Sequence, residues 1–175
     1  KTYYLKVKST EQILMPLVVG SEEQLLKRFN TQDILSSLYM GIILVMILYN
    51  IFIYFTVRDK SYLYYVLYIL FVSLTQLAFM GYTYRFFWPN APWLSNQSVI
   101  LVPALTGIAA IEFLKTFLQV KTVSQKFIWI LNALNIFYIV NCVLSIAGQH
   151  KLSQQLLQPN ALIASLVIVS IAIYL

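Results

Sequence analysis

"YMGIILVMILYNIFIYFTVRDKSYLYYVLYILF", residues 39–71, holds the pattern that decides the fold. Two long uncharged runs meet at three adjacent charges, Arg58, Asp59 and Lys60. Along the whole chain, Lys, Arg, Asp and Glu are absent from 34–57, 61–84, 86–111, 127–150 and 152–175, each run being 24 to 26 residues long. As helix, ~20 apolar residues cross the ~30 Å hydrocarbon core of a bilayer. Hydrophobic residues make up 60% of the 175 and charged residues 10%, against ~45–50% and ~25% in soluble domains. A soluble domain of this length has too much surface to hide so much apolar side chain. The pattern predicts a mainly α, polytopic transmembrane helix bundle.

The runs predict helices at about 34–57, 61–82, 98–118, 127–148 and 161–175. "YRFFWPNAPWLSNQ", residues 84–97, with two prolines and two tryptophans, reads as an interfacial loop. Polar "QHKLSQQLLQPN" reads as the link to the fifth helix. That helix covers only ~22 Å by residue 175, short of a full crossing. The expectation is therefore a fragment cut at both ends, since the chain also begins at Lys1 rather than Met.

Residues 1–30 differ in character. In "TYYLKVKS" Tyr3, Leu5 and Val7 alternate with Tyr4, Lys6 and Lys8, the period of a half-buried strand. "ILMPLVV", residues 13–19, is a second short strand with Pro16 confining it to an edge or bulge. "SEEQ" fits a capping box, Ser21 as cap and Gln24 three residues on, opening a short juxtamembrane helix. Two strands do not fold alone, so the preferred reading is the end of a larger β domain; the alternative is an amphipathic tail.

Charge sets the orientation. Arg58, Lys60, Lys115, Lys121 and Lys126 lie on one side of the spans, Arg85 and Lys151 on the other. Positive residues favour the cytoplasmic side, which puts the N-terminus outside. Lys27 and Arg28 narrow that vote, but a folded domain is translocated largely regardless of its charge. Arg58, Lys60 and Lys115 then act as membrane anchors, with Trp88 and Trp93 as interfacial aromatics on the far side and Tyr54, Tyr62, Tyr64 and Tyr65 as the belt beside the charged turn. The basic residues lie between apolar runs rather than along one face, which argues for the lipid bilayer as partner and against nucleic acid.

No catalytic constellation stands out. One histidine, His150, and one cysteine, Cys142, do not make a zinc site or a Cys–His pair, and a phosphate-binding glycine loop is lacking. The expectation is no cofactor, no metal and no enzyme activity within these residues. Polar side chains inside the spans are the candidate helix-packing or signal-transmission residues. Glu112 is the one acid in a span, and its simplest reading is a pair with Lys115, whose ammonium reaches the interface. Asn132 and Asn135 share one sector of the fourth helix, and Tyr138, Asn141 and Ser145 another, so each sector could bind a different neighbour. Pro103 and Gly107 permit a kink in the third helix, and Thr106 with Ala110 permits close approach. Asn50 and Tyr68 are equidistant from Asp59 and are expected to meet across the first hairpin.

The ordered set Gly41, Leu48-Tyr49-Asn50, Tyr54, Arg58-Asp59, Tyr62-Leu63-Tyr64-Tyr65, Tyr68, Gly81, Trp88-Pro89 and Pro92-Trp93 resembles the bacterial seven-transmembrane receptors with diverse intracellular signalling modules. "FLKTFLQVK" (113–121) and "LMPLVVGSEEQL" (14–25) are similar as well. The resemblance implies an extracellular β-sandwich sensor for a small, carbohydrate-like ligand, of which residues 1–20 would be the last strands. It also implies seven helices in the bacterial inner membrane and a fused cytoplasmic output such as a histidine kinase, diguanylate cyclase or phosphatase, beyond residue 175. A homodimer is a further expectation. The rival reading, a transporter or channel, needs intramembrane charge or broken helices in paired positions, for which only Glu112 and Pro103 qualify.

Overall fold

A computed structural model describes residues 20–118 and 125–174. The strands expected at 3–8 and 13–19 lie outside the described residues. The chain divides into two units, residues 1–39 and 40–175. Five long helices follow one another: α1 (Glu22–Val57), α2 (Lys60–Phe79), α3 (Pro92–Phe117), α4 (Gln125–Ile146) and α5 (His150–Tyr174), with a π-helical turn at Thr83–Phe87 before α3. All five are long and apolar enough to cross a membrane. Helices suit that setting because each satisfies its own backbone groups where no water can.

The boundaries differ from those read along the sequence, for local reasons. The capping box does open a helix: Ser21 N donates to Gln24 Oε1 and Gln24 N to Ser21 Oγ, both at 3.4 Å. That helix does not stop at residue 30, however, and becomes the first span as one 36-residue α1. No proline interrupts 21–57, and Thr31 Oγ1 bonds back to the Lys27 carbonyl at 2.9 Å, so nothing breaks it. The stretch expected to be a loop at 84–97 is mostly ordered helix. Pro92 starts α3, where a missing N–H costs nothing, leaving Trp88–Ala91 as the break.

The fifth helix starts eleven residues before the expected Ala161, at His150. Gly148, at φ +83, ends α4: Gly148 N donates to Ser145 O at 3.1 Å and Gln149 N to Leu144 O at 3.0 Å. This is the paired closure that only a left-handed residue allows at low cost. The chain reverses at once, and Ser153 N already donates to Gln149 O. Pro159 lies inside α5. An interior proline loses one hydrogen bond and costs ~3 kcal/mol, but packing of Ser153, Asn160, Ala164 and Ile171 on one buried face holds the helix through it.

The Arg58 turn is tight. Arg58 has φ +57 and its N–H bonds Tyr54 O at 2.7 Å; Asp59 then caps α2, accepting from Ser61 N at 2.9 Å and Ser61 Oγ at 2.8 Å. Of the tyrosines beside it, Tyr65 does not simply face the headgroups: Tyr65 and Tyr68 lie against Phe113 of α3, at centroid separations of 5.4 and 6.3 Å.

The contact of Tyr65 with Phe113 puts the Arg58 turn and the last turn of α3 at one end of the helices. α3 packs against α2, α4 and α5. A single apolar core runs through α3, α4 and α5, with Ile111 and Leu114, Leu131 and Leu134, and Ala164 and Ile171 among its buried members. Most side chains of α1 are exposed, including Ile42, Val45, Leu48, Phe52 and Phe55. Such a surface is stable only against hydrocarbon or another apolar helix.

Two outcomes follow from these contacts. Gly107 lets the Tyr138 ring of α4 lie directly on α3, and a Cβ there would overlap the ring. Gly107→Ala should destabilise the bundle by about 1–3 kcal/mol, the range for overpacking, in thermal unfolding from micelles. Tyr138→Ala should absorb most of that loss in the double variant. The second outcome concerns Asp59, whose carboxyl is held below its ordinary 3.8, first by the Ser61 N–H and then by the Ser61 hydroxyl. A lowered pKa means the cap contributes fully above 3.8 and is lost as pH falls below that value. The unfolding midpoint of the native chain should drop more steeply between about pH 4 and pH 2 than that of Asp59→Asn, which cannot titrate.

Candidate functional site

Near the end of α3 the charged and amide side chains come together. Glu112 and Lys115 are three residues apart, one turn along the same face, and Lys115 Nζ donates to Glu112 Oε1 at 2.6 Å. Asn135 of α4 donates from Nδ2 to the same Oε1 at 2.6 Å, and Lys115 Nζ donates to Asn132 Oδ1 at 2.6 Å. Asn132 and Asn135 are again three apart, so one face of each helix supplies two partners. The cluster is neutral as a whole and half-buried. Glu112 lies ~7.5 Å from the end of α3 at helical rise.

This arrangement explains how a carboxylate can be kept in a span. A charge alone in hydrocarbon is costly, and an intramembrane ionisable residue is by default a candidate functional group. Here the ammonium supplies the countercharge and the amides add charge-assisted bonds. Lys115, expected to anchor in the headgroups, is engaged by Glu112 and Asn132. Sliding of α4 along α3 would break two charge-assisted hydrogen bonds, Lys115 to Asn132 and Asn135 to Glu112.

A second polar contact holds the other end of the same helix pair. Gln97 Nε2 donates to Ser145 O at 2.9 Å, and Ser145 Oγ donates back to Gln97 Oε1. Both residues are almost wholly enclosed, at 2% and 0% exposure. Sequence reading missed Gln97 by placing it in a loop; the signal available was Pro92 as a helix start. Asn141 lies on the α5 side, accepting from Ser153 Oγ at its carbonyl (2.9 Å) and its Oδ1 (3.3 Å). The Tyr138, Asn141 and Ser145 sector therefore does not serve one neighbour: Tyr138 and Ser145 meet α3, and Asn141 meets α5.

Asn50 and Tyr68 are not hydrogen-bonded to each other. Asn50 is buried and donates to Met46 O of its own helix at 2.7 Å, while Tyr68 stacks on Phe113. A carbonyl one turn back satisfies an amide in hydrocarbon as hydroxyls are satisfied, so no second helix was needed. Thr106 bonds Thr75 of α2 at 2.9 Å, one hydroxyl proton crossing between the helices and the other returning to its own backbone. Of the interfacial residues, Trp93 is exposed on the first turn of α3, Trp88 ends the π-helical turn, and Arg58 and Lys60 are exposed at the α1–α2 turn. An apolar groove of about 440 Å³ runs over Gly107 and Ala110, bordered by Tyr68, Phe113, Ala164 and Ile168.

If Glu112 and Asn135 share a bond, Glu112→Gln and Asn135→Leu should not be additive. A double-variant cycle read by unfolding in micelles should give a coupling near ~0.6 kcal/mol and below ~2. Additivity within ~0.3 kcal/mol would show that the two side chains act independently.

The family model for 7TM diverse intracellular signalling matches residues 32–175. Neither a curated protein nor a solved structure matches the chain. The match covers all of the interhelical polar contacts described above and most of α1, and it agrees with five helices fit to cross a membrane. This multi-pass membrane protein belongs to the 7TM diverse intracellular signalling family.

Proposed function

We propose that the chain is the membrane portion of a signal-transduction receptor in a bacterial inner membrane. It passes the binding of a small extracellular ligand, carbohydrate-like in chemistry, to a cytoplasmic output domain fused after the helices. The observation that carries this reading is the family match across residues 32–175. In this reading the N-terminal residues lie outside and belong to the sensing domain, and the seven helices of the family type include the five seen here. The protein performs no chemistry within these residues; any kinase, cyclase or phosphatase belongs to the fused output.

The cluster of Glu112, Lys115, Asn132 and Asn135 is the transmitting element in this proposal. It lies at the end of the bundle that the charge count assigns to the cytoplasm, where an output domain would receive the motion. The bonds from Asn132 and Asn135 of α4 to the Glu112–Lys115 pair of α3 have two discrete arrangements, made and broken, which is what a two-state element requires. The Gln97–Ser145 contact would serve as the fixed end of the same helix pair.

Orientation is the part of this reading most directly open to test. Single cysteines at Thr10, Asn90 and Ser124, each in a Cys142→Ala background, should separate under an impermeant thiol reagent on intact spheroplasts. Positions 10 and 90 should label, and position 124 only after the membrane is opened. Labelling of 124 alone on closed spheroplasts would reverse the orientation and remove the basis for extracellular sensing by the N-terminal segment.

A further inference from the structure

The apolar groove over α3 has the form of a helix seat. Its floor is one face of α3, Pro103, Gly107, Ala110 and Leu114, in steps of four, three and four. From the first to the last of these it runs ~16 Å at helical rise, about three turns. Tyr68 of α2 borders it on one side, and Ala161, Ala164 and Ser165 of α5 on the other. α2 and α5 both pack on α3, yet among the described residues they do not meet each other. The groove is the space between them.

The chemistry of the walls narrows what fits there. Thr106 Oγ1 donates to Val102 O at 2.9 Å and Ser165 Oγ to Leu162 O at 2.8 Å, so each hydroxyl is spent on its own helix rather than offered to a polar ligand. Ala110 on the floor and Ala161 and Ala164 on the wall are small. Lipid tails gain nothing from small residues, whereas helix backbones approach closely only over them. The family matched across residues 32–175 is one of seven membrane helices, of which five lie in the described residues. A helix of the same chain is therefore the occupant that both the groove and the family type call for.

We propose that this groove seats the sixth membrane-spanning helix of the chain, laid against Ala110 of α3 and Ala164 of α5. The inference rests on the seven-helix reading given under the proposed function. Consecutive elements usually lie side by side, and α5 forms one wall of the groove, which selects the helix after α5 over the seventh. Seated there, it touches α2, α3 and α5 together and closes the open side of the bundle. It also gives α3, which carries Glu112 and Lys115, a direct contact with the chain beyond α5.

The test uses the full-length protein in its native membrane, with the photoreactive residue p-benzoylphenylalanine replacing Tyr68 in one variant and Val169 in another. These positions border the groove on α2 and on α5, and if one variant does not fold the other decides. After irradiation, peptide mapping by mass spectrometry should place the cross-link within the chain, on the sixth apolar span. Ala110→Leu, which fills the floor, should lower both the cross-linked fraction and the unfolding midpoint, and Ala110→Ser should leave both unchanged. Cross-links to lipid alone, to a second copy of the chain or to the seventh span overturn the proposal and leave the seven-helix reading standing. A full-length sequence with no apolar span after α5 overturns both.

Discussion

Hydrocarbon offers no hydrogen bonds, and every polar group of this protein that enters the membrane must find its partner inside the protein. The consequences are visible at each level. The backbone is helical wherever the chain is long and apolar. Hydroxyls fold back on carbonyls one turn away, as Thr56 does to Phe52 and Ser170 to Leu166. Asn50 follows the same rule within α1. Only where a side chain has more hydrogen-bonding capacity than its own helix can satisfy does it reach another helix.

That distinction sorts the contacts by what they do. Bonds within one helix keep a residue tolerable but carry no information about its neighbours. Bonds between helices set rotation and depth, and they concentrate on α3. Thr106 ties it to α2, Gln97 and Glu112 tie it to α4 at opposite ends, and Gly107 admits the Tyr138 ring between them. The small residues of α3 thus serve packing on two faces, Thr106 toward α2 and Gly107 toward α4. The Glu112–Lys115 ion pair lies near a helix end, where Lys115 can keep its stem in apolar surroundings and its ammonium near the interface. The other interhelical polar contacts are neutral: Thr75 with Thr106, Gln97 with Ser145, Asn141 with Ser153.

Much of this was legible residue by residue. Charge-free runs of helical length announce spans, and the pairing of Glu112 with Lys115 follows from a three-residue spacing on one helix. Asn132 and Asn135 announce a shared face for the same reason. Their partner was not legible, because nothing in the local pattern says which helix a face will meet. The errors at Gln97 and Ser153 have another origin. Polar residues near Pro92 and Pro159 look like loop, since in water proline and polar side chains are the usual breakers. In this bundle those residues are helical because their polar atoms are paired across the interface: Gln97 with Ser145, Ser153 with Asn141.

By itself the sequence determined the number of apolar helices in these residues, their approximate places and the polar residues worth watching, because hydrocarbon thickness translates directly into run length. Tertiary structure alone decided that Glu112 meets Asn135, that Tyr138 lies on Gly107, and that Asn50 and Tyr68 stay apart. These depend on the depth and rotation of one helix against another. Depth and rotation are set by the sum of many small contacts, and no short stretch of chain contains that sum.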